Sequence, residues 1–306
     1  MTRTEKFIQW SSLVAYCIGG FSFLAAPQLY NIILQLDYRG HSEGFIRLVG
    51  LGIVDVGLIF VVLARCDHKI YRMGTISAST FSRLLWVPAT GLMLIFRDML
   101  PLAFALIFMA LDSSLSLSTL VIWYCETEEP SFRAFFKELL AFIRDCRGLK
   151  SGGSILVAFI LGVIQVIFWY VFVVRPDFAQ IIFNLDQFEG FASGYLSTFI
   201  YLLSIHGLYH VLCANNVNRC LVPISLSYRI LIDLPVLLVL FLVDQIERNL
   251  FLAILIINLL SVIIFLLSIA IEKRSRENTA DDPNTGQDDS PLLAKNQDDD
   301  SASSCQ

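Results

Sequence analysis

The sequence predicts an all-α integral membrane protein with eight transmembrane helices, arranged as two parallel four-helix repeats, and a disordered cytosolic C-terminal tail. Of its 306 residues, 56% are apolar and only 16% are charged, whereas soluble proteins average about 25% charged residues. Apolar runs long enough to cross a bilayer recur along the chain, because about 20 residues of helix span the hydrocarbon core. Finally, the polar residues inside these runs recur at similar spacing in the two halves of the chain.

The eight predicted spans and the charge of their connections define a topology. The spans are roughly 11–33, 45–64, 76–96, 99–123, 154–174, 191–213, 221–243 and 250–271. Five of the 22 basic residues fall in the connections after spans one, three, five and seven, fifteen fall at the termini and in the other connections, and two lie inside spans. Because basic segments stay on the cytosolic side, both termini are predicted to be cytosolic.

The same features divide the chain into five segments. They are a cytosolic N-terminus (1–10), a first membrane repeat (11–124), a cytosolic linker with an amphipathic helix (125–153), a second membrane repeat (154–271) and an acidic tail (272–306). Each repeat holds four spans, so both enter the membrane in the same orientation. The predicted relation is therefore a pseudo-two-fold axis along the membrane normal.

The repeat is inferred from rare residues rather than from apolar ones. In each half a proline is followed at a fixed distance by a Leu-Asp pair, and an arginine inside the third span is followed by a polar residue in the fourth. The matched positions are Pro27 and Pro176, Asp37 and Asp186, Arg83 and Arg229, Asp98 and Asp244, and Asp112 and Asn258.

The linker contains apolar residues at helical spacing between Ser131 and Arg147, with basic residues on the other side. This pattern is typical of a helix that lies on an anionic membrane surface. It also fits an ordinary linker helix packed on the bundle, and both interpretations stay open.

The C-terminal tail, Glu272–Gln306, is poor in apolar residues and is predicted to be disordered in the cytosol. Within it, Asp288, Leu292 and Leu293 resemble an acidic dileucine sorting signal, which clathrin adaptors read in flexible cytosolic segments. We therefore expect an endosomal or lysosomal membrane. The alternative is a solvated acidic tail with no sorting role.

Charged residues inside the first repeat are the leading functional candidates. A charge at the membrane centre costs about 2.5–3.5 kcal/mol on insertion scales unless it finds a partner. Asp55, Arg83 and Asp112 lie in three different spans and are expected to satisfy one another, and Ser116 shares a helix face with Asp112. The group could line a path for a solute or a proton, or it could be a structural ion pair that holds helices together.

In the second repeat the arginine is kept and the acids change. Arg229 has Asp233 one turn further on, and His206 and His210 lie one turn apart on span six. Histidine titrates near neutral pH, so these residues could form a proton relay, although the pattern favours ordinary hydrogen-bonded helix histidines. The candidate residues of the path are Asp55, Arg83, Asp112, Ser116, His206, His210, Arg229, Asp233 and Asn258.

The motif search argues against an enzyme and against a cofactor. No lipase-type serine motif, zinc-protease motif, phosphate-binding loop or kinase motif occurs, and no second pair of span histidines faces His206 and His210. The sequence predicts no metal site, no catalytic residues and no nucleic-acid partner. The expected partners are membrane lipids and, through the dileucine signal, clathrin adaptors. The leading hypothesis is transport of a small polar or anionic solute, with proton coupling. The alternatives are a membrane scaffold, an assembly factor, a lipid-binding protein or a membrane-embedded lipid enzyme.

One short stretch resembles a known family. Ala26-Pro27-Gln28-Leu29-Tyr30-Asn31, with Gly44 and Phe45 further on, is similar to the Pro-Gln motif of PQ-loop transporters. The resemblance covers about twenty residues and implies seven spans in two three-helix bundles and the export of amino acids from lysosomes. The second copy reads Pro176-Asp177 and the predicted span count is eight, so no residue role is taken from that family.

Overall fold

A computed structural model describes residues 2–65, 76, 79–127, 130–145, 153–212 and 218–280. These residues form helices joined by short loops, and no strand occurs among them. The first half contains α1 (Arg3–Ala25), α2 (Ser42–Leu63), α3 (Ser79–Phe96) and α4 (Leu102–Glu126). The linker helix is α5 (Phe132–Asp145).

The second half begins with α6 (Gly153–Val174) and α7 (Ala192–Leu212). Helix α8 consists of Asn218–Tyr228, a π-helical turn at Arg229–Asp233 and Leu234–Leu242, and α9 is Arg248–Ala280. Short helical pieces follow α1 and α6, at Pro27–Tyr30, Asn31–Leu34 and Pro176–Ile182.

Seven helices of the described chain are long and apolar enough to cross a membrane, namely α1 to α4, α6, α8 and α9. The chain is therefore a multi-pass helical protein of the membrane type. Helix α7, which corresponds to the predicted sixth span, is 21 residues long but is not among the seven. It carries His206, His210 and several hydroxyl groups, which lower its apolar character.

Three helix ends differ from the predicted spans. Helix α1 begins at Arg3 rather than near residue 11, because Thr2 and Glu5 form a reciprocal capping box at its start. It ends at Ala25, before Pro27, which cannot donate a backbone hydrogen bond. Helix α9 continues past Ile271 to Ala280, since the charged residues after Ile271 are good helix formers.

Helix α2 lies at the centre of the bundle, and 78% of its most apolar stretch is buried. Glycines bring its backbone close to α1: a Cβ added at Gly50 would lie 2.5 Å from the backbone nitrogen of Leu24. In the second half α6 meets α7 in the same way, and a Cβ at Gly162 would lie 2.7 Å from the carbonyl oxygen of Gly207. Small residues allow such close helix contacts inside membranes, where hydrophobic driving force between helices is absent.

The loops after α1, α3, α6 and α8 meet at one end of the bundle. A Cβ added at Gly44 would lie 1.6 Å from the carbonyl oxygen of Gln245, and one at Gly194 would lie 1.7 Å from that of Met99. At the other end, the carboxylate of Glu126 accepts hydrogen bonds from the backbone N–H (2.9 Å) and the hydroxyl (2.6 Å) of Thr4. The start of α1 and the end of α4 therefore lie on the same side.

Several unusual backbone features recur in the two halves, whereas the π-helical segment Ser12–Ile18 of α1 has no counterpart in α6. Left-handed residues occupy Gln35 and Asn184, each directly before a Leu-Asp pair, and also Asp98 and Asp244 in the loops before α4 and α9. Helices α3 and α8 each contain a π-helical turn that is followed by a proline, at Ser82–Trp86 and Arg229–Asp233. A proline removes the hydrogen bond to the preceding turn, and a wider turn accommodates this loss.

The linker helix α5 has features of a helix packed on the bundle and of a helix that lies on a membrane surface. Phe135 and Leu139 are buried, and the ring of Phe135 packs edge-on against Trp123 at the end of α4. Phe132 and Leu140 are more than 60% exposed, so part of the apolar face remains without cover among the described residues. Cys146 and Arg147 lie outside the described residues.

We predict that alanine at Gly44 or at Gly194 lowers the melting temperature of the purified protein. The added Cβ would meet a backbone carbonyl that no side-chain movement can displace, and overpacking of this kind costs roughly 1–3 kcal/mol. Gly19→Ala is the control, because its nearest heavy atom would be 3.7 Å away. Thermal unfolding in detergent measures the effect, and equal melting temperatures for all three variants would contradict the packing described above.

Candidate functional site

The first candidate site is built around an ion pair between α3 and α4. The Nε atom of Arg83 donates to Oδ1 of Asp112 over 2.9 Å, and the two side chains are only 3% and 14% exposed. Arg83 lies in the π-helical turn of α3, and the hydroxyl of Tyr16 on α1 also donates to Oδ1 of Asp112. The sequence predicted this pairing of Arg83 with Asp112.

The guanidinium of Arg83 is enclosed by aromatic rings as well. Its carbon lies 5.2 Å from the ring centroids of both Tyr16 and Phe60, which favours the cation by attraction to the ring faces. Its Nη2 atom is buried and has no hydrogen-bond partner among the described residues. One donor of the arginine is thus available to a further acceptor.

A cavity of about 120 Å³ adjoins this ion pair. Its size is close to that of an engineered apolar cavity of about 150 Å³ that takes up a benzene ring. Side chains from both halves line it, most of them apolar. Its polar lining is confined to Arg83, Asp112 and a few hydroxyls, which belong to Tyr16, Ser82, Thr90, Thr198, Tyr201 and Tyr209.

The lining of the cavity includes side chains that are exposed on the surface of the bundle. Trp86 on α3 and Leu111 on α4 belong to its lining, and they are 37% and 43% exposed. Exposed large apolar side chains on a membrane-type helix face lipid. A molecule dissolved in the bilayer could therefore enter between α3 and α4.

Ser116 does not belong to this cavity lining. It is fully buried, and its hydroxyl donates to the backbone carbonyl of Thr80 over 3.0 Å. Thr119 is also buried and donates to Leu115 in its own helix. The polar face of α4 thus points into the bundle, as the sequence predicted, but Ser116 joins α4 to α3 and lines no path in this structure.

Asp55 does not join Arg83 and Asp112, which corrects the prediction that these residues satisfy one another. Its carboxyl group is buried between α2 and α8, within hydrogen-bonding reach of the carboxyl group of Asp233 and close to Arg229. The reason lies in packing: α2 is central, and the face that carries Asp55 turns toward the second half rather than toward α3.

Arg229 has a partner equivalent to that of Arg83. Its Nη1 atom donates to Oδ1 of Asn258 on α9, and both arginines bond a residue 29 positions later in the chain. Asn258 is uncharged, so it cannot neutralise the arginine as Asp112 does. The carboxyl groups of Asp233 and Asp55 supply the opposite charge in the second half.

The two histidines of α7 lie in this second cluster. His206 packs against the ring of Tyr228 with centroids 5.7 Å apart, and it is close to Arg229. The Nε2 atom of His210 lies 3.2 Å from the hydroxyl of Ser225 on α8. The structure therefore divides the candidate residues into two groups, with Arg83, Asp112 and Ser116 in one, and Asp55, His206, His210, Arg229, Asp233 and Asn258 in the other.

Sequence reasoning missed two features. The tyrosines of the cavity lie on helices that are distant in sequence, and nothing in their spacing marks them. The loop residues His41, Asp186 and Glu247 place possible ligand atoms within 4.8 Å of one another, a geometry that could hold a metal ion. The backbone N–H of Asp186 donates to Glu247 over 2.9 Å, and burial raises the pKa of that glutamate.

Comparison with protein-family models, with curated proteins and with solved structures finds no match for this chain. The class, a multi-pass helical membrane protein, rests on the seven apolar helices described above. Function is therefore argued from the geometry of the two buried clusters and the cavity.

We predict that Asp112→Asn lowers both the abundance and the melting temperature of the protein. The substitution leaves the charge of Arg83 buried without an opposite charge, and removing one partner of a buried ion pair costs roughly 3–5 kcal/mol. Adding Arg83→Gln to Asp112→Asn should recover much of the loss, because the double variant buries no unpaired charge.

Asp98→Asn is the matched control, since it makes the same chemical change in an exposed loop. Membrane-fraction immunoblots and thermal unfolding in detergent report the result. A single Asp112→Asn variant as stable as the control would mean that the ion pair does not hold α3 to α4.

Proposed function

We propose that the protein binds a small neutral amphipathic molecule from the membrane and moves it through the bundle. The observation that carries this proposal is the half-open apolar cavity that ends at a neutral ion pair. The apolar body of the ligand would lie among the aromatic and aliphatic side chains, and its polar head would lie at the pair of Arg83 and Asp112.

Charge balance defines the class of ligand. The positive charge of Arg83 is already matched by Asp112 at 2.9 Å, so an anionic head would find no excess of positive charge there. A strongly polar solute would lose its water without gaining enough partners, which costs several kcal/mol. The proposal therefore replaces the small polar or anionic solute suggested by the sequence with a neutral molecule that carries one carbonyl or hydroxyl group on a ring or short chain.

The second candidate function is lipid binding without movement. It is favoured by a specific observation: the arginines of both halves are hydrogen-bonded to a side chain of the next helix, as expected for structural pairs. No covalent chemistry is part of either candidate, because the carboxylate of Asp112 is engaged by both Arg83 and Tyr16.

Two parallel four-helix repeats are part of the proposal. The paired left-handed residues, the paired π-helical turns and the equivalent arginine contacts all support it, since each is rare and each recurs at corresponding positions. The matching glycine contacts of Gly44 and Gly194 with the opposite half support it as well. A parallel repeat places equivalent elements around one axis, an arrangement that transporters use.

We further propose eight spans with both termini in the cytosol. Helix α7, the sixth in chain order, would be added to the seven apolar helices. It has the length of a span, and its polar residues His206 and His210 face the protein interior rather than lipid. An endosomal or lysosomal membrane is proposed from Asp288, Leu292 and Leu293, through clathrin adaptors. These three residues lie outside the described residues.

The ligand proposal predicts that Ala105→Leu abolishes binding of a small amphipathic probe. Ala105 is 3% exposed and lines the cavity, so a larger side chain would fill the space that the ligand needs. 4-Bromophenol is a suitable probe, because it joins a hydroxyl group to a ring and its bromine quenches tryptophan fluorescence. Trp86 lines the cavity and would report its binding.

Ala110→Leu is the matched control, because Ala110 lies on the exposed face of the same helix. Saturable quenching should occur in the wild type and in Ala110→Leu, and it should be lost in Ala105→Leu and in Trp86→Phe. Quenching that does not saturate, or that is unchanged in Ala105→Leu, would refute a ligand site in this cavity. Transfer of the probe between reconstituted vesicles then separates movement from binding alone.

The topology proposal predicts that tags at both ends of the chain reach the cytosol. A fragment of a split fluorescent protein fused to either terminus should restore fluorescence with a cytosolic partner fragment. Eight spans require both termini on one side, whereas seven spans would place them on opposite sides. A signal from only one terminus would therefore show that α7 does not cross the membrane.

A further inference from the structure

The two buried carboxyl groups of Asp55 and Asp233 form a contact between the halves of the protein. Asp55 belongs to α2 and Asp233 to the π-helical turn of α8, and they are 1% and 4% exposed. Their carboxyl groups lie within hydrogen-bonding reach of each other. A hydrogen bond between two carboxyl groups requires a proton on one of them, because an ionised carboxylate only accepts.

The charge count of the cluster leads to the same conclusion. Arg229 is the basic residue near both acids, and its Nη1 atom is bonded to the neutral Asn258. Two ionised acids and one arginine would leave one excess negative charge in the membrane interior, where an unpaired charge is costly. One bound proton makes the cluster neutral. Two carboxyl groups in contact share a single proton for the same reason in other proteins.

Unused polar atoms surround this pair. Oδ1 of Asp55, Oδ1 of Asp233 and Nε of Arg229 are buried and have no hydrogen-bond partner among the described residues. Buried polar groups are rarely left unpaired unless they serve a ligand, water or a proton. The two carboxyl oxygens are free acceptors for a proton, and Nε of Arg229 is a free donor beside them.

Titratable and charged groups face the pair from every packed helix. Cys17 lies on α1, His206 and His210 lie on α7, and Tyr228 and Arg229 lie on α8, while α9 contributes the neutral Asn258. His206 is close to Arg229, and its neutral form can accept a proton. Tyr228 interacts electrostatically with both acids, and Cys17 interacts with Asp55.

We propose that Asp55 and Asp233 form a binding site for one exchangeable proton at the contact between the two halves. Loss of the proton places two like charges in contact across α2 and α8, which favours separation of the halves. This site is distinct from the cavity at Arg83 and does not depend on what occupies that cavity.

Infrared spectroscopy of the full-length protein in lipid nanodiscs tests the proposal directly. A protonated carboxyl group gives a C=O stretching band that is separate from the carboxylate and amide bands, and the band shifts when the proton is exchanged for deuterium. The wild type should show this band at neutral pH and lose it on titration to alkaline pH. Asp55→Asn and Asp233→Asn should each remove the neutral-pH band, because each leaves a single acid matched by Arg229.

Asp98→Asn should keep the band, since Asp98 is an exposed loop residue. Melting temperatures of both buried variants show whether they fold, and either one suffices for the test. A wild type without the band at neutral pH, or a band that persists in a folded variant, would overturn the proposal. Sodium chloride is compared with choline chloride at equal concentration and pH: an unchanged band supports a proton site, and loss of the band in sodium shows a Na⁺ site instead.

Discussion

Neutralising an arginine inside the membrane is the constraint on which the structure depends. Arg83 is 3% exposed, and an unpaired charge at that depth would cost several kcal/mol. Asp112 supplies the opposite charge, and Tyr16 and Phe60 present their rings to the guanidinium. These contacts join α1, α2, α3 and α4 around one side chain. The cavity adjoins this arrangement, since Tyr16, Phe60, Arg83 and Asp112 all belong to its lining.

The second half meets the same constraint in a different way. Arg229 bonds the uncharged Asn258, so its opposite charge comes from Asp233 and, across the contact between halves, from Asp55. The exchange of one acid for an amide thus has a structural consequence. Asp233 alone would match the charge of Arg229, so the addition of Asp55 from the first half brings two acids together where only one positive charge is available.

The sequence predicts a contact between charged residues when such residues are rare and lie on adjacent spans. It does not predict contacts that depend on how the helices pack. Arg83 and Asp112 are rare charges on adjacent spans, so each is the obvious partner of the other. The partner of Asp55 depends on which face of α2 turns toward α8, and the rotation of a central helix cannot be read from a nearly uniform apolar sequence. The cavity also depends on helix packing and cannot be read from the sequence, since Tyr16, Tyr201 and Tyr209 lie on different parts of the chain and meet only in the folded bundle. The start of α1 was predicted too late because its first turns are polar, although Thr2 and Glu5 form a recognisable capping box.

Helix α7 gives a physical link between the two sites. Tyr201 and Tyr209 on this helix line the cavity, and Tyr209 packs edge-on against Phe60, whose ring also faces Arg83. His206 and His210 on the same helix belong to the second cluster, near Arg229 and Ser225. These groups lower the apolar character of α7, which explains why a helix of full span length is less hydrophobic than its neighbours. A shift of α7 that follows a charge change at the second cluster would therefore alter the walls of the cavity.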